Sequence, residues 1–334
     1  WETTNKLNMG TDLQFWHERI SLNFDYYYNK TVDLITDVSL PASAGFTSYK
    51  DNLGETLNKG FDIQVRFDVY KDKDWNVSLW GNLNHNRNEI LKISDALRAY
   101  NQRVNEKYEA AENAQGNVHL SEWGSEYSEP EMKYEEGASL TSIFAIRSLG
   151  IDPMTGNELF LYRDGSVSSL WKATETVRVG DEEPKASGSF GVNLTYKNLT
   201  LFASFAYDWG KQTYNQTLVD GVENADIENS NVDRRVLTQR WQKPGDIAPL
   251  RNIKDMNTST MPTSRFVQDD NELSLSALTL SYDFNTDWLK KIRLKMLRLE
   301  LSTNDLFRAS TVRLERGTSY PFARTFNFSL RATF

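Results

Sequence analysis

Apolar and polar residues alternate one by one along several long segments of the chain. Between residues 61 and 69, five apolar residues alternate with Asp, Gln, Arg and Asp. A period of two places apolar side chains on one face of a strand and polar side chains on the other. The same pattern recurs at 20–28, 75–84, 190–207 and 325–334. The pattern therefore predicts an all-β chain whose strands have one apolar face.

The predicted strands are separated by connections that alternate between short and long. Eleven strands are predicted, at 3–14, 20–35, 58–70, 75–87, 139–148, 157–164, 185–196, 199–215, 265–284, 293–305 and 325–334. The short connections are 15–19, 71–74, 149–156, 197–198 and 285–292. A single helical pattern, at 94–114, lies inside a long connection. Short turns at one end and long loops at the other are typical of bacterial outer-membrane barrels. We therefore expect a transmembrane antiparallel β-barrel.

Aromatic residues cluster beside the short connections, as expected for a belt at a membrane interface. They are Phe15, Trp16, Tyr70, Trp75, Tyr196, Phe284, Trp288 and Phe334. The alternative is that aromatic residues simply flank hairpins, as they do in many soluble β proteins. The final strand places Phe326, Phe328, Leu330 and Phe334 on its apolar face.

Composition excludes several other classes of protein. Cysteine is absent, so neither disulfides nor thiolate metal sites are available. The net charge of −8 argues against a general nucleic-acid surface. The three histidines, His17, His85 and His119, lack the spacing of metal ligands, and no phosphate-binding or nucleophile motif occurs. The turn-forming residues of 152–157 favour a turn over an acidic metal loop. We expect no cofactor, no bound metal and no catalytic residue.

Several segments resemble one family of nutrient transporters. The most specific is "LPASAGFTSYKDNLGETLNKGFD" at 40–62, and "GIDPMTGNELF" at 150–160 is similar. "VGDEEPKASGSFGVNLTYKNLTL" at 179–201 and "YPFARTFNFSLRATF" at the end extend the similarity. On these segments the chain resembles the C-terminal half of SusC/RagA-type TonB-dependent transporters of the Bacteroidetes outer membrane.

The resemblance implies a barrel of about 22 strands with a plugged lumen. Residues 1–334 would then form the C-terminal half of the barrel, with the plug domain and the N-terminal strands absent. It also implies import of an oligosaccharide or a peptide, a SusD-like surface lipoprotein as a lid, and energy supplied by TonB through the missing N-terminal region. The final strand, with Phe326, Phe328, Leu330 and Phe334, would be the signal read by the barrel assembly machinery.

Aromatic residues of the long connections are the candidate contacts for a ligand or a lid. They are Tyr49, Trp123, Tyr127, Tyr134, Trp171 and Trp241. Exposed rings can stack on sugars or pack against a partner protein. Such rings can instead form the small core of each loop. The alternative function is a soluble carbohydrate-binding or glycoside hydrolase domain that uses these rings as a sugar platform.

Overall fold

The computed structural model describes residues 1–39, 48–52, 54–114, 127–227, 231–252, 259–284, 289, 293–313 and 324–334. Long antiparallel strands dominate the fold, so the predicted all-β class is confirmed. The strands are β1 (Thr3–Phe15), β2 (Ile20–Val32), β3 (Ile35–Ser39), β4 (Ser48–Asn52), β5 (Gly54–Lys71), β6 (Trp75–Ile93), β7 (Ser142–Ala145), β8 (Arg147–Ile151), β9 (Glu158–Leu161), β10 (Val167–Ser168), β11 (Val177–Asp181), β12 (Ala186–Tyr196), β13 (Leu199–Tyr214), β14 (Val267–Phe284), β15 (Met296–Thr303), β16 (Arg308–Ser310) and β17 (Phe326–Thr333).

One large sheet forms the wall of the fold. Within the described residues its order is β1-β2-β5-β6-β12-β13-β14-β15-β17, and the short β16 also pairs with β14. Every pair along this path is antiparallel. Sequence neighbours in the wall are joined alternately by short and long connections. All the long connections therefore leave from the same end of the wall, as the sequence predicts.

The number of wall strands needs a correction. Two of the eleven predicted strands, 139–148 and 157–164, lie outside the wall. β7 pairs with β11, and β8, β9 and β10 form a separate three-stranded sheet, all within the connection from β6 to β12. The wall path therefore contains nine strands in the described part of the chain. The turn at 149–156, predicted at the short-turn end, belongs to the same long connection.

Strand register assembles the alternating residues into an apolar face. Leu22 lies opposite Val65, and Val65 lies opposite Gly81. The row continues across β12 and β13 through Phe190 and Phe205. Directly opposite residues share a face of the sheet, so the row is apolar across five strands. A shift of one residue in any pair would turn that strand's apolar side chains to the polar face.

The other face of the wall carries a matching polar row. Asp25 lies opposite Asp62, Asp62 opposite Asn84, and Asn84 opposite Ser187. The Asn84 amide donates a hydrogen bond of 2.6 Å to the Asp62 carboxylate. Polar side chains therefore satisfy one another across strands on this face, as suits the lumen side of a barrel.

Aromatic residues surround the short-turn end of the wall. Phe15, Trp16 and Tyr70 are exposed there. The rings of Trp75 and Tyr196 contact each other across β6 and β12, with centroids 4.2 Å apart. This placement fits the predicted interfacial belt. Trp288, another predicted member, lies outside the described residues.

The helices lie in the long connections. The main helix is α1 (Asp95–Ala114), which matches the predicted helical segment, and two short helices are α2 (Gln216–Leu218) and α3 (Arg235–Thr238). Single turns of 3₁₀-helix occupy Ala173–Glu175 and Ser264–Phe266, and a π-helical turn occupies Val219–Glu223. Across the described residues, none of the helices combines the length and apolar character needed to cross a membrane.

A charge at Val65 tests which face meets lipid. We expect Val65→Arg to lower the amount of folded barrel in the membrane, because a basic side chain on the lipid face costs about 2–4 kcal/mol at mid-membrane. The matched control is Gln64→Arg, which adds the same charge one residue away on the polar face. Folded barrel is measured by heat-modifiable gel mobility of outer-membrane extracts. Equal yields of the two variants would contradict this assignment of faces.

Candidate functional site in the loop cap

The described residues of two long connections, 94–185 and 215–266, form a cap at one end of the wall. The core of this loop cap forms around the apolar face of α1. Val104, Tyr108 and Ala111 are spaced four and three residues apart, so they share one side of the helix. They pack against residues from both connections: Ile146, Phe160, Tyr162, Trp171, Ala173 and Met261. The cap is therefore one packed unit rather than a set of independent loops.

Local hydrogen bonds fix α1 and the segment that follows it. The Ser94 hydroxyl accepts the backbone N–H of Leu97 at 3.3 Å, as expected of an N-cap residue. The buried Tyr108 hydroxyl donates to the Glu129 carbonyl at 2.6 Å and accepts the backbone N–H of Glu131 at 2.8 Å. Burial raises the pKa of Tyr108. The tyrosine therefore ties the helix to the returning chain as a neutral hydrogen-bonding group.

Hydrogen bonds from the first connection join it to residues 262–264 of the second. The indole N–H of Trp171 donates to the Pro262 carbonyl at 2.9 Å. The backbone N–H of Ile146 donates to the same carbonyl at 3.2 Å. The backbone N–H of Ser148 donates to the Ser264 hydroxyl at 2.9 Å. These bonds join strands β7 and β8 to the chain that enters β14, so the cap is attached to the wall.

A buried ion-pair network lies at this junction. The Arg265 guanidinium contacts Glu158 at 2.8 Å and Glu223 at 2.5 Å, and all three side chains are largely buried. Arg251 is 3.8 Å from Glu223. Burial by itself raises the pKa of Glu223, but Arg265 and the nearby Arg251 and Arg240 bring it below the usual value. Burial also disfavours the charge on Arg265, but Glu223 and Glu158 raise its pKa. The network therefore stays ionised and joins the two connections.

The segment after α1 is also fixed at a second point, by the buried side chain of Lys133. Lys133 donates to the Ala173 carbonyl at 3.2 Å and to the side chains of Asn105 and Thr176. Burial, with a smaller contribution from Arg163, lowers the pKa of Lys133 to about 8. The oxygen acceptors around it compensate for part of the water that the ammonium group has lost.

A cleft of about 270 Å³ opens between the two connections. Its lining includes Glu112 from α1, Glu158 from β9, and Arg251 and Asn252 from the second connection. Trp171 also lines the cleft. Carboxylate, guanidinium and amide groups beside an aromatic ring can hydrogen-bond a ligand rich in hydroxyl or amide groups. This cleft is the candidate ligand site of the cap.

The predicted contact residues Trp171 and Trp241 lie in packed interiors. They are 7% and 6% exposed, respectively. The Trp241 indole donates to the Pro153 carbonyl at 2.8 Å, and its ring lies so close to Gly156 that a Cβ there would approach within 2.5 Å. Stacking on a sugar requires an open ring face, so these two rings stabilise the cap instead of offering a platform.

The other predicted contact residues have different surroundings. Tyr127 packs on the α1 cluster, with the Lys107 ammonium 5.5 Å from its ring centre. Tyr134 is half-buried against Tyr100, and burial raises the pKa of Tyr134. Tyr49 lies in β4, but its side chain is outside the described part of the structure. Trp123 lies outside the described residues. Of the four rings that the structure describes, Trp171 and Tyr127 share the α1 cluster, whereas Tyr134 packs against Tyr100 and Trp241 against Gly156.

Residues 152–157 form the turn that their composition predicts. The Asp152 carboxylate accepts the backbone N–H of Met154 at 3.0 Å and the Thr155 hydroxyl at 2.7 Å. Gly156 has a φ of 75°, a conformation that favours glycine. Among the described residues, no group of three or more acidic or histidine side chains could hold a metal ion. His119 lies outside those residues.

The residues of the ion-pair network are absent from the sequence predictions. Glu158 and Arg265 are 107 positions apart, and Glu223 lies in a third segment. Each is an ordinary charged residue of a long connection, and in a sequence such a residue is indistinguishable from a solvated surface residue. Only the packing of the two connections brings them together.

Removal of Arg265 tests whether the network holds the cap together. Arg265→Met leaves two buried carboxylates without their main partner, and breaking such a pair costs about 3–5 kcal/mol. We expect faster hydrogen exchange in peptides of β7, β8 and β9, with protection of the wall unchanged. Hydrogen–deuterium exchange with mass spectrometry provides the measurement.

The matched control is Arg308→Met, which removes a 2.7 Å ion pair with Glu272 that is partly open to solvent. Exposed pairs contribute about 0–1 kcal/mol, so this variant should leave the cap unchanged. If Arg265→Met exchanged no faster than the control in the cap, the network would have no structural role.

Comparison with known proteins agrees with this architecture. The family model described as "TonB dependent receptor-like, beta-barrel" matches residues 1–135. TonB-dependent receptor P3 of Formosa agariphila is 27% identical over 365 residues, which cover 100% of this chain and 34% of the relative. TonB-dependent receptor SusC of Bacteroides thetaiotaomicron is 36% identical over 97 residues, which cover 28% of this chain and 10% of the relative. The chain thus spans about a third of the length of those relatives that match nearly all of it.

Solved structures show the same fold. The RagAB peptide transporter matches with a TM-score of 0.71 and 23% identity, covering 93% of this chain and 32% of that one. The RagAB peptide importer in its closed-closed state matches with a TM-score of 0.70 at the same identity and coverage.

These comparisons contradict the alternative of a soluble sugar-binding or glycoside hydrolase domain. The wall, its alternating connections and the aromatic belt fit an outer-membrane barrel, and the family is one of transporters rather than of enzymes. Residues 1–135 thus match the β-barrel of the TonB-dependent receptor family, and the chain as a whole is similar to TonB-dependent receptors, SusC among them.

Proposed function

We propose that this chain is the C-terminal half of a transporter that imports a large nutrient across the outer membrane. The plug domain and the other barrel strands would be supplied by the rest of that transporter. TonB would supply the energy through the N-terminal region, and a SusD-like surface lipoprotein would act as a lid over the loop cap. The role of the chain in this proposal is binding and passage, with no catalytic step.

The observation that carries this proposal is the packed loop cap above a wall of the TonB-dependent receptor type. The cap is joined to the wall through Arg265 and the residues beside it. It contains a polar cleft of about 270 Å³. A cleft on a well-packed support is what capture of a ligand before transport requires. The chemistry of the cleft suits an oligosaccharide or a peptide, because both present many hydrogen-bonding groups.

A patch of exposed apolar side chains on the cap supports the proposal that a lipoprotein lid binds there. Met154 and Ile247 are 66% and 94% exposed. The segments that carry them are joined by a hydrogen bond of 2.8 Å from the Gly245 backbone N–H to the Pro153 carbonyl. Both side chains are apolar and exposed to solvent, and such exposed apolar surface is suited to contact with a partner protein. We therefore assign Met154 and Ile247 to the lid contact.

Charges in this patch test the lid and the transport role together. We expect Met154→Glu combined with Ile247→Glu to reduce co-purification of the lipoprotein with the full-length transporter, because a carboxylate would lose water in the contact. Uptake of the nutrient that the transporter supports should fall in parallel. Co-purification is measured from detergent extracts and uptake by growth, with and without TonB.

The matched control replaces both residues with leucine, which keeps the patch apolar and should preserve both readings. Full co-purification of the lipoprotein with the glutamate variant would exclude this patch as the lid contact. Uptake that persists at full rate without TonB would contradict the transport mechanism itself.

The final strand is proposed as the signal for assembly of the barrel. Phe326, Phe328 and Leu330 lie opposite Thr303, Leu301 and Leu299 of β15. The strand therefore continues the apolar face of the wall. A strand with one apolar face and open backbone groups can pair with the edge of the assembly machinery by strand addition. Phe334 would place an aromatic ring at the periplasmic interface.

Shortening this strand by one residue tests the assembly signal. We expect deletion of Phe334 from the full-length protein to reduce the amount of folded barrel, whereas Phe334→Tyr should have little effect because the ring remains. Folded barrel is measured by heat-modifiable mobility, and uptake is normalised to it. Insertion of the shortened protein at the normal level would show that Phe334 is an ordinary strand residue.

A further inference from the structure

Two aromatic residues interrupt the polar face of the wall. Trp80 of β6 lies opposite Arg66 of β5, and Phe202 of β13 lies opposite Asn193 of β12. Directly opposite residues share a face, so both rings stand among the polar side chains of the lumen side and not in the apolar row. A large apolar side chain on an otherwise polar surface indicates a contact with something outside that surface.

The two rings meet above β12 because a glycine of that strand leaves room for them. Gly191 lies opposite Trp80 on one side and Ser204 on the other. A Cβ at Gly191 would lie 2.8 Å from Cζ2 of Trp80. The rings of Trp80 and Phe202 are nearly parallel, with 8° between their planes and 6.3 Å between their centroids. Together these two residues form one aromatic surface across β6, β12 and β13, the lumen patch.

The described part of the chain leaves the lumen patch partly uncovered. Both side chains are only half-buried. Neither belongs to the apolar clusters that pack the described residues of the loop cap. Trp80 is five residues from Trp75, the first residue of β6, which is about 17 Å along the strand. The patch therefore lies within the paired length of β6 and β12, well inside the wall and away from its short-turn end.

The rim of the lumen patch offers hydrogen-bond donors. The Arg66 side chain is 64% exposed, and its Nε donates to the Asp68 carboxylate on the same strand at 3.3 Å. A guanidinium carries several N–H groups, so donors remain for an acceptor outside the wall. A tryptophan beside an arginine, with polar side chains around them, is the composition of a hot spot in a protein interface.

We propose that the lumen patch is the contact that holds the plug in place, an inference that rests on the proposed function. The chain covers 34% of TonB-dependent receptor P3, so most of such a protein lies outside it. Outer-membrane transporters with barrels of about 22 strands have a plugged lumen, which makes the plug the occupant of this side of the wall. An apolar side chain of the plug covers Trp80 and Phe202, and an oxygen beside it accepts from Arg66. Loss of this contact loosens the plug.

Hydrogen exchange of the plug in the purified full-length protein tests the proposal. Trp80→Gln gives the position the kind of side chain that this face carries elsewhere, so the wall should keep its register. We expect plug peptides to exchange about 30-fold faster, the effect of losing one interface hot spot. Trp80→Phe keeps a ring and should restore most of the protection. Phe202→Ser makes a similar change at the second ring, which keeps the test usable if Trp80→Gln folds poorly.

The matched control is Phe190→Leu, which removes a ring from the stacked pair of Phe190 and Phe205 on the apolar face of β12 and β13. Its plug should exchange as in the wild type. Plug exchange at the wild-type rate in the Trp80 and Phe202 variants, or an equal acceleration in the control, would overturn the proposal. So would a fall in uptake per folded barrel with plug exchange unchanged, because the rings would then contact the nutrient instead. The exchange measurement needs neither nutrient nor TonB, so its failure is separate from a failure of the transport role.

Discussion

Pairing of backbone N–H and C=O groups across the wall is the interaction on which the rest of the structure depends. A strand inside a membrane has no water to satisfy these groups, so each pair of strands must hold a continuous ladder. The ladder fixes the register, and the register decides which side chains share a face. Leu22, Val65 and Phe190 form part of an apolar row only because their strands pair as they do. The lipid-facing surface and the polar face both follow from it.

The loop cap is stabilised by a different balance of forces. Its centre is a helix that buries Val104 and Tyr108, but its attachment to the wall uses buried charges. Burying ions is costly unless they are paired and hydrogen-bonded. Arg265 meets this condition by contacting Glu158 and Glu223 together. Such a junction has strong geometric requirements, so it favours one arrangement of the two connections and keeps the cleft between them in shape.

The strand pattern predicts most of the wall but assigns two strands to the wrong place. Segments 139–148 and 157–164 alternate like wall strands and do form short strands, but these pair within a loop. A period of two reports that one face of a strand is buried, and it does not identify what covers that face. The candidate aromatic residues show a similar limit. Trp171 and Trp241 are in the predicted loops, yet their rings pack inside the cap.

The sequence by itself determined the class of fold, the alternating short and long connections and the apolar face. These depend on the order of neighbouring residues, because the alternation of a strand and the residues of a turn are local properties. The tertiary structure alone decided the number of wall strands, which aromatic rings are buried inside the cap, and which distant residues meet in one site. Glu158 meets Arg265 across 107 positions. Contacts of this kind arise from how the connections pack, for which no local pattern exists.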